Sequence, residues 1–141
     1  MQRFVSHSVQ DTEKIAAKLA EKLKGGEVIA FTGPMGMGKT AFTRGLVLAL
    51  GGGDVVSSPT FALVNEYDAR LTVQHFDMYR VSGWDDLYST GFFDYLDTDN
   101  VLVSEWSENI DGALPENTIY VHMEKGETET ERIVTIEGID L

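Results

Sequence analysis

Apolar residues recur along this chain at two spacings, and the changes between them mark its elements. Asp11 or Thr12 can cap a first helix, in which Ile15, Leu19 and Leu23 repeat every four residues between lysines and glutamates. This is the pattern of an amphipathic packing helix, ending at Gly25-Gly26. Residues 27–32 (EVIAFT) contain a continuous apolar run, as expected of a strand buried on both faces of a parallel sheet. Beyond a glycine-bearing stretch, Phe42, Leu46, Ala49 and Leu50 fall on one side of a second helix that closes at Gly51. Residues 61–67 (FALVNEY) alternate, 71–78 (LTVQHFDM) read as a further strand, and the short link between them predicts a β-hairpin. Ser82 can cap a short helix carrying Trp84, Leu87 and Tyr88, broken at Gly91. The aromatic piece 92–96 (FFDYL) reads as helical, either packed in the core or offered as a docking surface. Residues 100–103 (NVLV) form a second buried strand running into Ser104-Glu105-Trp106. Residues 118–123 (TIYVHM) and 131–136 (ERIVTI) predict an antiparallel pair at one edge, extending the sheet without carrying chemistry.

Composition narrows the class. With 43% hydrophobic residues in 141, the chain is expected to form one compact domain over 1–141. No apolar run is long enough to span a bilayer, and the polar stretch 1–10 does not read as a signal peptide. A cytoplasmic protein without membrane attachment is expected. The absence of cysteine excludes disulfides and thiolate metal sites. The net charge of −12 sets 23 acids against 11 bases, and no lysine occurs between Lys39 and Lys125. Little direct nucleic-acid binding is expected of this chain alone, although a larger complex could act on nucleic acid.

The chemistry gathers at Gly33-Pro34-Met35-Gly36-Met37-Gly38-Lys39-Thr40, a complete G-x-x-x-x-G-K-T loop between a buried strand and a helix. Such a loop aims backbone N–H groups at a phosphate from the positive end of a helix dipole. Lys39 can reach the β- and γ-phosphates, and the Thr40 hydroxyl is placed to ligate Mg²⁺. The expected fold class is therefore α/β: a three-layer, phosphate-loop NTPase-like domain with a mixed central sheet, flanking helices and antiparallel edge strands. Ser58-Pro59-Thr60 is either a plain turn or a switch in which Thr60 senses the γ-phosphate. His75 and Asp77 share a strand face. Asp77 is a candidate metal-shell or water-orienting carboxylate, whereas His75 reads more readily as a hydrogen-bonded structural residue than as a ligand. Glu105 ends an apolar strand where open α/β sheets bind ligands, so it is either solvated or a second acid facing Mg²⁺. Residues 6–10, which include Val9 and Gln10, could approach a nucleotide base.

The chain lacks the N-K-x-D and D-x-x-G motifs of GTPases, and its five arginines are not clustered as a kinase lid would require. The loop, Ser58-Pro59-Thr60-Phe61, His75-Phe76-Asp77-Met78-Tyr79-Arg80, Gly91 with Asp94-Tyr95, Glu105-Trp106 and Leu114-Pro115 together resemble the TsaE (YjeE/YdiB) family of bacterial ATPases. The resemblance runs over nearly the whole chain. Pro34, where an acid is common, and Met37, in place of alanine, depart from the family and bear on local loop conformation. The resemblance implies a Mg²⁺-dependent ATPase, binding ATP and ADP, needed to make threonylcarbamoyladenosine in tRNA. It implies action on a complex of TsaB and TsaD, in which TsaD transfers the threonylcarbamoyl group and ATP hydrolysis resets the assembly. It further implies that Lys39 holds phosphates, Thr40 and Glu105 coordinate Mg²⁺, and Asp77 activates or orients water. Thr60 is then the switch, Trp106 sits beside the nucleotide, and residues near Val9 and Gln10 contact adenine. A small-metabolite kinase and a non-catalytic nucleotide-gated adaptor are the alternative functions.

Overall fold

A computed structural model describes residues 1–34, 36–52, 64–67, 69–77, 100–105 and 114–141. In chain order its elements are β1 (Gln2–Ser6), α1 (Val9–Ala20), β2 (Val28–Thr32), α2 (Lys39–Ala49), β3 (Val64–Tyr67), β4 (Val73–Asp77), β5 (Val101–Glu105), β6 (Ile119–Lys125) and β7 (Arg132–Glu137). The strands form one mixed sheet in the order β1-β7-β6-β2-β5-β4-β3. Strand β2 lies between two parallel partners, β5 and β6, which is why its run Ile29-Ala30-Phe31 is wholly buried. Glu27 falls just outside that strand. Its carboxylate accepts the backbone N–H groups of Lys24 (2.8 Å) and Gly25 (2.7 Å) and so closes the turn leading in.

The expected hairpin is present as β3 and β4, paired antiparallel from Val64–Phe76 to Tyr67–Val73. β4 then pairs parallel with β5, whose five residues are all buried. One sheet face, carrying Ile29, Phe31, Val73, Val103, Val121 and Val134, joins Ile15 and Leu19 of α1 and Phe42 and Leu46 of α2 in a single core. Phe31 and Phe42 meet edge to face at 5.5 Å. The two helices approach closely at Gly45, where a Cβ would stand 2.7 Å from the Cα of Glu13.

Four expectations are corrected. The first helix is capped by Ser8 instead of Asp11 or Thr12: the Ser8 hydroxyl accepts the Asp11 N–H at 3.1 Å. Thr12 is turned inward, buried, with its hydroxyl 2.7 Å from that of Ser6. The helix also stops at Ala20, short of Gly25-Gly26. On α2 the buried stripe is Phe42, Leu46, Val47 and Leu50, while Ala49 faces solvent. The pair β6–β7 is not the sheet edge. β6 runs parallel beside β2, and the polar-looking N-terminus supplies β1, which pairs antiparallel with β7 and forms the edge. The helix expected from Ser82, the aromatic piece 92–96 and the expected site residues Met35, Thr60 and Trp106 lie outside the described residues.

Candidate nucleotide-binding site

The parallel strands β2, β4 and β5 end on one side of the sheet, and that side carries the chemistry. β2 runs directly into the loop at Gly33, which has φ 108°. A Cβ there would lie 2.1 Å from the carbonyl oxygen of Met123 on β6, so only glycine lets the loop leave the strand along this path. Gly36 (φ 79°) and Gly38 (φ 108°) carry the loop round. Gly38 is the N-cap of α2, which has no side-chain cap and no acid in its first turn. The orphan N–H groups and positive pole of that helix are therefore not neutralised by its own side chains. Lys39 follows at once, buried, with its ammonium donating to the Gly33 carbonyl at 2.8 Å. The charge is thus held across the mouth of the loop, against a carbonyl that an anion can replace. Thr40 is half-buried in the same turn.

Glu105 ends β5. One residue beyond the Ala30–Ser104 pair, it stands level with Phe31, just before the loop. It is buried to 8% exposure and pairs in register with Asp77 at the tip of β4. The two expected acids therefore sit on adjacent parallel strands at one level, although the Asp77 carboxylate lies outside the described atoms. The Nε2 of fully buried His75 bonds the Glu105 Oε2. The reading of His75 as a hydrogen-bonded residue is met by this bond, yet its partner is the candidate metal-side acid, which spacing did not suggest.

Beside the loop lies a cavity of about 410 Å³. Gly36, Met37 and Gly38 form one wall, Ala41 of α2 its floor, and His7, Ser8, Val9 and Thr12 the side nearest α1. Glu129, Thr130 and Arg132 close it from the β6–β7 turn. Val9 lines the cavity, and Gln10 does not. The β6–β7 pair was expected to extend the sheet without carrying chemistry; its turn lines this cavity. Because β6 is the neighbour of β2, its hairpin folds back beside the loop. That turn is braced by Arg132, which donates to the carbonyls of Glu129 (2.7 Å) and Glu131 (3.0 Å). Lys125 donates to the Glu129 carboxylate at 2.6 Å; this hydrogen bond, with the charge behind it, holds Glu129 below its ordinary pKa. No local motif marks these residues. Only the strand order brings them to the loop. Among the described residues no group of three or more histidines and acids could alone hold a metal ion.

Comparison with known proteins agrees with this geometry. The sequence profile described as "Threonylcarbamoyl adenosine biosynthesis protein TsaE" matches residues 6–134. A Treponema pallidum protein named tRNA threonylcarbamoyladenosine biosynthesis protein TsaE is 36% identical over 86% of this chain and 90% of its own length. The Bacillus subtilis protein of the same name is 34% identical over 92% of this chain and 82% of its own. The crystal structure of B. subtilis YdiB superposes with a TM-score of 0.76 at 28% identity, covering 96% of this chain and 83% of that one. The loop, the mixed sheet and the match over almost every residue lead to one conclusion: this chain belongs to the TsaE family.

Proposed function

We propose that this chain is the ATP-binding and ATP-hydrolysing subunit of the machinery that makes threonylcarbamoyladenosine in tRNA, working in the cytoplasm on a complex of TsaB and TsaD. The observation that carries this reading is the uncapped start of α2 behind a positive-φ glycine loop, with the Lys39 ammonium resting on the Gly33 carbonyl. Such an arrangement suits the phosphates of a nucleotide. The cavity between Met37, Val9 and Thr130 is of the size that takes a purine nucleoside, and it opens beside the cradle.

Bound there, ATP would draw Lys39 from the Gly33 carbonyl onto its terminal phosphates, while the loop amides spread the remaining negative charge. Thr40 and Glu105 offer hard oxygens, the donor type Mg²⁺ takes when one or two protein groups share it with phosphates. Mg²⁺, when present, neutralises charge on the phosphoryl groups. Asp77, level with Glu105, orients the attacking water. Thr60 responds to the γ-phosphate, and Trp106 flanks the nucleotide. No helix among the described residues is long and apolar enough to cross a membrane. The chain's sparse bases agree with leaving tRNA contact to partner proteins.

The same scarcity of cations makes the isolated chain a slow ATPase whose site is completed on docking. Steady-state hydrolysis with and without TsaB–TsaD tests this: a marked rise with partners is expected, and equal rates would remove the docking step. Purified protein with no affinity for ATP in the presence of Mg²⁺ would overturn the whole reading.

A further inference from the structure

Among the described residues, His75 is the one fully buried ionisable side chain near the strand tips to which the proposed function gives no task. It stands on β4 with its ring 6.5 Å from that of Tyr67, its Nε2 on Glu105 Oε2 and, among the described residues, its Nδ1 without a partner. We propose that His75 is a positioning residue for Glu105, an inference that rests on the reading of Glu105 as the metal-side acid. The ring donates Nε2–H to Oε2 and fixes the rotation of the carboxylate, leaving Oε1 as the oxygen presented to a divalent cation.

Two features carry the argument. The first is the tautomer. A buried nitrogen without a hydrogen-bond partner is tolerated far better as a bare lone pair than as an N–H donor, so the proton belongs on Nε2 and the imidazole acts as a donor to the acid. The second is the unfinished coordination of the acid. A carboxylate accepts about four hydrogen bonds. Glu105 is only 8% exposed, and among the described residues His75 is its sole hydrogen-bond partner. A merely solvated acid would reach into water, and a merely structural one would have further donors. A carboxylate held at one oxygen, with no hydrogen-bond partner at the other among the described residues, suits a ligand whose orientation is set from behind, as histidines and acids do for one another around metal sites. The backbone register gives the grip its leverage: β4 and β5 are paired from Val73–Val101 to Asp77–Glu105, so the ring and the acid hang from one rigid ladder.

Titrating MgCl₂ into the full chain with a fluorescent ATP analogue, mant-ATP, reads this out apart from turnover. In His75→Leu the Mg²⁺ concentration for half-maximal binding should rise about tenfold, while binding in EDTA stays as in the native protein. His75→Gln, whose amide keeps an N–H donor at a similar reach, should stay within about threefold of native. Glu105→Ala serves as the reference. If it raises the Mg²⁺ requirement while His75→Leu leaves it unmoved, the positioning role is overturned and the metal role of Glu105 stands. An unmoved requirement in Glu105→Ala overturns both. Should His75→Leu fail to fold, long-range ¹H–¹⁵N NMR of the unsubstituted protein decides: an Nε2–H tautomer supports the assignment, and an Nδ1–H tautomer overturns it.

Discussion

The two helices of this chain begin in opposite ways. α1 closes its own N-terminus: Ser8 accepts the Asp11 N–H at 3.1 Å, the Asp11 carboxylate accepts the His7 N–H at 3.0 Å, and its charge sits on the positive pole. α2 does neither. Its cap is a left-handed glycine, its third residue is Ala41 where α1 has Asp11, and its first charge is the positive Lys39. The same orphan donors and the same dipole exist at both ends. Both starts line one cavity, so the contrast is not one of exposed against hidden surface. What differs is the anion: α1 brings its own, and α2 has none in its first turn, as the proposed phosphate site requires.

The contrast can be broken in four places. The largest effect belongs to Lys39→Ala, which should lower Mg²⁺-ATP turnover by about a hundredfold or more, measured at steady state. Native turnover in that variant would mean that α2 does not hold the phosphates. Next is Ala41→Asp, which gives α2 the acid that α1 has. The free protein should gain about 0.3–1 kcal/mol in urea unfolding, while affinity for mant-ATP falls by about tenfold. Tighter nucleotide binding in Ala41→Asp would contradict the idea of an open pole.

Ser8→Ala makes the reverse change. Loss of the cap should cost about 1 kcal/mol of stability, with a much smaller change in ATP affinity than Ala41→Asp produces. If the two variants weakened ATP equally, the helices would not differ in kind. The smallest effect concerns the cavity rim. Glu129 is held below its ordinary pKa by the Lys125 hydrogen bond and charge, so this contribution is present above the unfolded glutamate pKa and fades as pH falls through the lowered value. In Glu129→Gln that part of the acid limb of a stability-versus-pH curve should flatten slightly, and neutral-pH stability should change little because the pair is solvent-exposed.

Much of this arrangement could be read before any coordinates. Residues 28–31 and 101–103 are buried in the fold as their unbroken apolar runs require, and the glycine loop stands between a buried strand and a helix as its flanks predict. Local signals failed where two answers were chemically equal. Ser8, Asp11 and Thr12 are all good caps, and only the turn of Thr12 toward Ser6 decides among them. β1 escaped because Arg3 and Val5 are exposed on either side of Phe4, so a sheet edge resembles an unstructured polar end. The place of β6 beside β2 depends on pairings far apart in sequence, and with it went the third wall of the cavity. The bond between His75 and Glu105 was illegible for the same reason: 30 residues separate the partners, and neither spacing nor composition links them.

Gly33 has one more implication. Its backbone passes so near the Met123 carbonyl that no side chain fits between, which locks the root of the loop to β6 and, through the ladder with β7, to the turn at 126–131. The root of the loop and the hairpin that carries the turn are therefore joined by direct packing. A dye attached at exposed Glu127 would sit on that hairpin, and its distance to a second dye on β3 would report any shift between the hairpin and the opposite edge of the sheet.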